Sequence, residues 1–259
     1  MKSLLIETAF IPGEACLEGQ SICVVIDAIR ASGTIVTLFQ QRCGQILLTE
    51  DESRSIEEDD RIRLENYCIC AEREEGDRAA LAEVSPSLAD IHKMGDLKGR
   101  NILFRTTNGT RGIRALYGRG VENILVGSLL NADAVMETAV SMAVSKELGI
   151  CLVSAGRHNG RISCIDDSYS CGRLAETGVK YAKKQGIPVE LADSSKIALR
   201  LASTFTDGKE AFSMSATGQI MRNVNSEIDI LLCAEENISN MVPLVTGVDR
   251  NGHVIINLK

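Results

Sequence analysis

The chain has no tryptophan, and aromatic residues make up only 3% of it. Proteins that bind single-stranded nucleic acid stack bases on aromatic rings, so that class is disfavoured, and the core is expected to be Val, Ile, Leu and Ala. Basic runs are also missing. With 28 Lys and Arg against 35 Asp and Glu the net charge is −7, which argues against nucleic acid and acidic membrane surfaces as partners, since both need positive patches. No stretch approaches the roughly 20 apolar residues of a membrane span. The first nineteen residues, MKSLLIETAFIPGEACLEG, carry an apolar stretch broken by Glu7 and no secretory cleavage pattern, so a cytoplasmic location is expected.

Several catalytic patterns are absent as well. Neither G-x-x-x-x-G-K-[ST] nor G-x-G-x-x-G occurs, which leaves a nucleotide-binding reading without a motif. His92, His158 and His253 lie far apart with no H-E-x-x-H spacing, and His158, inside a candidate loop, reads as a bystander. Nine cysteines is an odd number, and Cys23, Cys151 and Cys233 sit inside apolar runs, as reduced cysteines acting as small hydrophobes do. Cys68-Ile69-Cys70 lacks the two-residue gap of a metal or redox pair. Cys151 and Arg157 match C-x₅-R, but Leu152-Val153-Ser154-Ala155 reads as extended. Six strand steps would part the two residues by roughly 20 Å, too far for a shared phosphate.

The 259 residues, 44% of them hydrophobic, suffice to bury about three quarters of the unfolded surface. Apolar strand-like runs are read at 3–11, 22–27, 45–49, 67–71, 102–105, 124–126, 150–154 and 228–233. Helical patterns are read at 32–43, 111–117, 132–148, 167–184, 194–204 and 216–224, with a closing hairpin from strands 244–248 and 254–258. The acidic stretch 50–65 reads as a solvated helix, and 73–99 as a long irregular excursion. Strands alternating with helices predict an α/β protein, a three-layer αβα fold around a mixed, mostly parallel sheet. Residues 1–259 are taken as one domain, with two closely packed α/β halves as a variant of that reading.

In such sheets ligands bind beyond the carboxyl ends of the strands, where helix N-termini present unpaired N–H groups and partial positive charge. Three polar turns stand there. VVIDAIRASGT delivers Asp27 to a strand end, followed by Arg30 and Ser32; the carboxylate suits a divalent cation and the arginine an anionic oxygen pair, or the two pair with each other. TTNGTRGIRAL gathers Thr107, Asn108, Gly109, Thr110 and Arg111, with Asn108 tolerant of a left-handed backbone. SAGRHNGRISCIDDSYSCG carries Arg157, Asn159 and Arg161, then Asp166 and Asp167, which read equally as helix caps. Glu72 follows another strand. Together these describe a pocket for a doubly charged anion with a divalent cation.

At these turns, and at VGSLLNADAV and LLCAEENISNMVPLV, the chain resembles the 2-phosphosulfolactate phosphatase family over almost its whole length. The resemblance implies a ComB-like α/β fold and an Mg²⁺-dependent hydrolase converting 2-phospho-3-sulfolactate to sulfolactate and phosphate, a step towards coenzyme M in methanogens. On that basis Asp27, Arg30, Asn108 and Asp167 are the expected catalytic residues. Ser32, Thr107, Gly109, Thr110, Arg111, Arg157, Asn159 and Arg161 are expected to hold substrate, and Asp27, Glu72, Asp166 and Asp167 the Mg²⁺. A homodimer is left open, and a non-catalytic anion-binding relative is the rival reading. The family's Asn-Ser-Pro stands here as Val84-Ser85-Pro86, its Gly-Glu-Arg as Ala71-Glu72-Arg73, and its Glu-Asp pair as Asp166-Asp167; its short glycine turn is longer, Gly156 to Gly160.

Overall fold

The computed structural model describes residues 3–15, 21–49 and 67–259. The acidic stretch 50–65 lies outside them. The period-two apolar runs form strands, in order β1 (Leu4–Ala9), β2 (Ile22–Ile26), β3 (Ile46–Leu48), β4 (Tyr67–Ala71), β5 (Asn101–Arg105), β6 (Ile124–Val126), β7 (Ile150–Ser154), β8 (Val189–Leu191) and the hairpin β9 (Pro243–Val248) and β10 (Val254–Leu258). Between them run α1 (Ala31–Gln40), α2 (Leu88–Met94), α3 (Gly109–Gly118), α4 (Ala132–Lys146), α5 (Ile165–Lys184), α6 (Asp193–Ala202), α7 (Gly208–Met214), α8 (Ala216–Asn223) and α9 (Glu227–Cys233). No described helix is long and apolar enough to cross a membrane.

The strands form one sheet in the order β4-β5-β3-β10-β9-β6-β2-β7-β1-β8. Of nine neighbour pairings six are parallel, and the three antiparallel ones all involve the C-terminal hairpin. Side chains alternate across the strands as the pleat requires: Ile22, Val24 and Ile26 pack under α4, α5 and α7, while Cys23 and Val25 pack with Ile35 and Leu38 of α1 and Ile113 and Leu116 of α3. Every residue of β2 and β7 is buried, as expected for central strands covered on both faces. The result is the expected three-layer αβα arrangement.

The hairpin splits the parallel strands into two blocks of opposite direction, β6-β2-β7-β1-β8 and β4-β5-β3. In a flat sheet their carboxyl ends would lie on opposite edges. Sheets twist, so the two blocks are turned relative to one another, and the exits of β4 and β5 meet that of β2, as the Arg30–Glu72 pair and the approach of Gly109 to Asp27 show.

Three parts of the sequence reading change. Residues 228–233 are not a strand but belong to α9. Asp229, Ile230 and Cys233 are buried while Ile228 and Leu231 are about half exposed, a helical rhythm that seven residues are too few to display. The excursion 73–99 contains α2, capped by the Ser87 hydroxyl accepting from the Asp90 N–H. The short edge strand β8 and helix α7, the latter capped by Asp207, carried too little pattern to be read.

Candidate active site

The β2 strand ends at Asp27, which is buried. Its own N–H donates to Ser32 Oγ at 2.9 Å, and the Ala31 N–H, at the start of α1, lies 3.4 Å from its Oδ1. Ser32 is thus a fixture of the Asp27 turn. From the β5 exit, α3 comes so close that a Cβ on Gly109 would stand 2.8 Å from both Asp27 Oδ2 and Ala31 Cβ. Glycine is needed there for approach and not for a left-handed backbone. Asn108 is not left-handed either, with φ at −127°; Asn159, on the other turn, is.

The β7 exit supplies the second pair of acids. Helix α5 begins at Ile165, so Asp166 and Asp167 occupy its first turn. Asp167 does not cap that helix. Its Oδ1 accepts from the Ala28 N–H at 2.8 Å, and its Oδ2 from Ser154 Oγ at 3.0 Å and the Gly156 N–H at 2.9 Å. One carboxylate thereby ties the β2 exit to the β7 exit. Burial first, and the Asp166 charge second, push Asp167 up to about 7. Asp166 is also raised by burial; the neighbouring Thr217 hydroxyl and Arg157 draw it partly back, although neither Asp166 Oδ1 nor Thr217 Oγ1 reaches hydrogen-bond geometry. The Cys164 thiol completes a group with Asp166 and Asp167 whose donor atoms lie within 4.8 Å of one another. Burial and those two charges hold the thiol well above its usual range.

Glu72, at the β4 exit, joins from the opposed block. Its Oε1 accepts from the Thr107 N–H at 3.2 Å and the Thr107 hydroxyl at 3.4 Å, and Asn108 Nδ2 donates to that hydroxyl's oxygen at 3.1 Å. Asp27 is raised far above the ordinary aspartate value, mainly by burial and then by Asp167, Glu72 and Asp166. Asp167, Glu72 and Asp166 are thus each within electrostatic reach of Asp27, while among the described residues the donor atoms within 4.8 Å of one another are those of Asp166, Asp167 and Cys164. The hard oxygen donors of the four acids, one of them a buried Asp166 oxygen with no partner, fit a small divalent cation.

Arg30 is placed differently from either reading of it. The guanidinium pairs not with Asp27 but with Glu72 (Nη2 to Oε2, 3.0 Å) and Asp229 (Nη1 to Oδ2, 3.1 Å), and Nη2 also donates to the Gly76 carbonyl at 2.6 Å. Only 1% of its side chain is exposed. Burial opposes its charge, yet the two acids hold its pKa above the usual value. Its Nη1 and Nη2 are engaged from within the protein, while Nε is buried without a hydrogen-bond partner.

The remaining residues form an outer rim. Residues 156–160 make a tight turn in which Gly156, His158, Asn159 and Gly160 all have positive φ, closed by paired backbone bonds between Arg157 and Ile162. This turn and α3 enclose a cleft of about 300 Å³ lined by Pro12, Arg111, Gly112, Ala115, Asn159 and Gly160. Arg157 is half-buried and close enough to Asp166 to stabilise its charge. Thr110 is buried and bonded to Thr106, and Arg161 is exposed. Sequence reasoning missed Ser154, Cys164 and Asp229. The only signal for Asp229 was an acid inside the apolar run Ile228–Cys233.

A family model described as 2-phosphosulpholactate phosphatase matches residues 10–247. Relatives named "Probable 2-phosphosulfolactate phosphatase" include one from Thermus thermophilus, 28% identical over 252 residues and 95% of each chain. A second, from Thermotoga petrophila, is 31% identical over 87% of this chain and 89% of its own. A third, from Deinococcus radiodurans, is 29% identical over 88% and 89%.

Proposed function

The chain belongs to the 2-phosphosulpholactate phosphatase family, and from that premise we propose that it is a cytoplasmic, Mg²⁺-dependent phosphomonoesterase. Its substrate is a small anionic hydroxy acid, with 2-phospho-3-sulfolactate, cleaved to sulfolactate and phosphate, as the first candidate. One observation carries the reading. The N-termini of α1, α3 and α5 meet around three buried acids, Asp27, Asp166 and Asp167, and the partly exposed Glu72, contributed by three strand exits of two opposed blocks. Helix N-termini favour phosphate, and a cluster of carboxylates favours a divalent cation.

Asp27, Glu72, Asp166 and Asp167 would hold the Mg²⁺, which supplies charge neutralisation at the phosphoryl group and a water of lowered pKa. The protein's own part is positioning. Asn108 and the first amides of α3 face the phosphoryl oxygens and stabilise charge as it moves to the leaving oxygen. Arg111 and Arg157 meet the acid groups of the substrate from the rim, with Asn159 and Arg161 beyond them. Arg30 acts from inside, setting the orientation of Glu72.

The test is phosphate release from a panel of phosphorylated hydroxy acids, with Mg²⁺ and with a chelator. Metal-dependent release, fastest with 2-phospho-3-sulfolactate, is the expected result. Tight binding of the panel with no release would favour a non-catalytic anion-binding protein instead.

A further inference from the structure

We propose that Asp229 is a positioning residue for the phosphate-binding turn Thr107–Asn108, acting through Arg30 and Glu72; the proposal rests on the hydrolase reading above. Asp229 is fully buried on α9, far along the chain from every turn that faces the substrate. One of its oxygens is fixed by α2: Oδ1 accepts from Ser87 Oγ at 3.0 Å and from the Ala89 N–H at 3.2 Å. The other, Oδ2, accepts from Arg30 Nη1 at 3.1 Å. Arg30 Nη2 then reaches Glu72 Oε2 at 3.0 Å, and Glu72 Oε1 holds the Thr107 N–H and hydroxyl. Asn108 Nδ2 closes the series on Thr107 Oγ1. Asp229, Arg30 and Glu72 each meet their two neighbours through different atoms, and Thr107 Oγ1 both donates to Glu72 and accepts from Asn108, so Asp229, Arg30, Glu72 and Thr107 are oriented from both sides.

Charge makes the arrangement directional. A buried guanidinium with a single acid would draw that acid fully to itself. With Asp229 holding one Nη, Arg30 is held between two carboxylates, and Glu72 keeps Oε1 turned towards Thr107. Removing the Asp229 charge while keeping its shape frees Arg30 Nη1 to take Glu72 Oε1 into a two-pronged pair, draws that oxygen off Thr107, and shifts the turn that carries Asn108. A displacement of about 1 Å in a positioning group costs up to about a hundredfold in rate, and because the phosphoryl contact tightens in the transition state the loss falls on kcat.

The experiment is steady-state phosphate release from 2-phospho-3-sulfolactate by the full chain, comparing wild type, Asp229→Asn, Ser87→Ala, Thr107→Val and Asp229→Asn with Thr107→Val. Asp229→Asn is expected to lower kcat about tenfold or more with KM changed less than about threefold. Ser87→Ala, which loosens Asp229 without touching its charge, is expected to lower kcat about two- to threefold with KM unchanged, and it decides the matter if Asp229→Asn does not fold. In the Thr107→Val background the Asp229→Asn loss should shrink well below its single-variant size, because both act on one series of contacts. Folded variants with wild-type kcat, or losses that simply multiply, overturn the proposal while leaving the hydrolase reading intact. A wild type that releases no phosphate from any phosphorylated acid overturns both.

Discussion

Asp167 receives three hydrogen bonds from two strand exits, whereas Arg161, six residues earlier on the loop that leads into α5, lies on the surface. The contrast runs through the whole site. Its inner acids are buried or nearly so, with Asp167, Glu72 and Oδ1 of Asp27 held by backbone amides, hydroxyls or Arg30; its outer cations are half-buried or exposed, and Arg111 lines an open cleft. Inner groups prearranged in this way are suited to a fixed piece of chemistry, since they cannot reorganise at low cost inside a packed core. The rim, built from a turn rather than from strands, can vary without disturbing them. The departures from the family pattern follow the same division. Val84 is absorbed in the core and Ser85 bonds Asp90, while the lengthened glycine turn changes the rim.

The comparison can be broken at its centre first. Asp27→Asn is expected to lower kcat at least about a hundredfold, the several kcal/mol a metal-held charge contributes. The metal-free variant should melt no lower than wild type, because it removes a buried charge crowded by three others. Near-normal turnover would end the assignment of Asp27. At the rim, Arg157→Ala should raise KM about tenfold, as loss of one charge-assisted contact does, with kcat within about threefold. A collapse of kcat at constant KM would move Arg157 into the chemistry.

A pH titration separates the two regions without mutation. Asp167, with an ordinary value near 3.8, is raised to about 7 in the fold, so between those limits the native state binds the extra proton. Stability of the metal-free protein should therefore be greatest at the acid end and fall as pH rises from about 4 to about 7. Above that range a divalent cation should restore the melting temperature, as differential scanning fluorimetry with and without chelator can show. A profile flat across this range would mean that the acids are not crowded as described. The smallest effect is expected for Arg161→Ala: about two- to threefold in KM, vanishing at high salt because an exposed charge is screened. A larger or salt-independent change would place Arg161 inside the site.

Much of this was legible in the residues. The strands β2, β5 and β7 and the polar turns that follow them stood out because short, near-continuous apolar runs end abruptly in charged and glycine-containing segments. Helix α9 was misread because its apolar stretch is shorter than two full turns and resembles a strand. The partners of Arg30 were not legible either. Asp229 lies 199 positions away, and nothing local distinguishes an arginine that meets substrate from one enclosed by two acids.

The sequence by itself determined the alternation of strand and helix and the placement of acids, arginines and amides at strand ends, since both depend on steric and hydrophobic patterns a few residues long. Only the tertiary structure decided that two blocks of opposite direction bring their exits to one place, that Asp27, Glu72, Asp166 and Asp167 share it, and that Arg30 faces inward. Those outcomes depend on sheet twist and on distances through space between charges, quantities that no local pattern in the chain encodes.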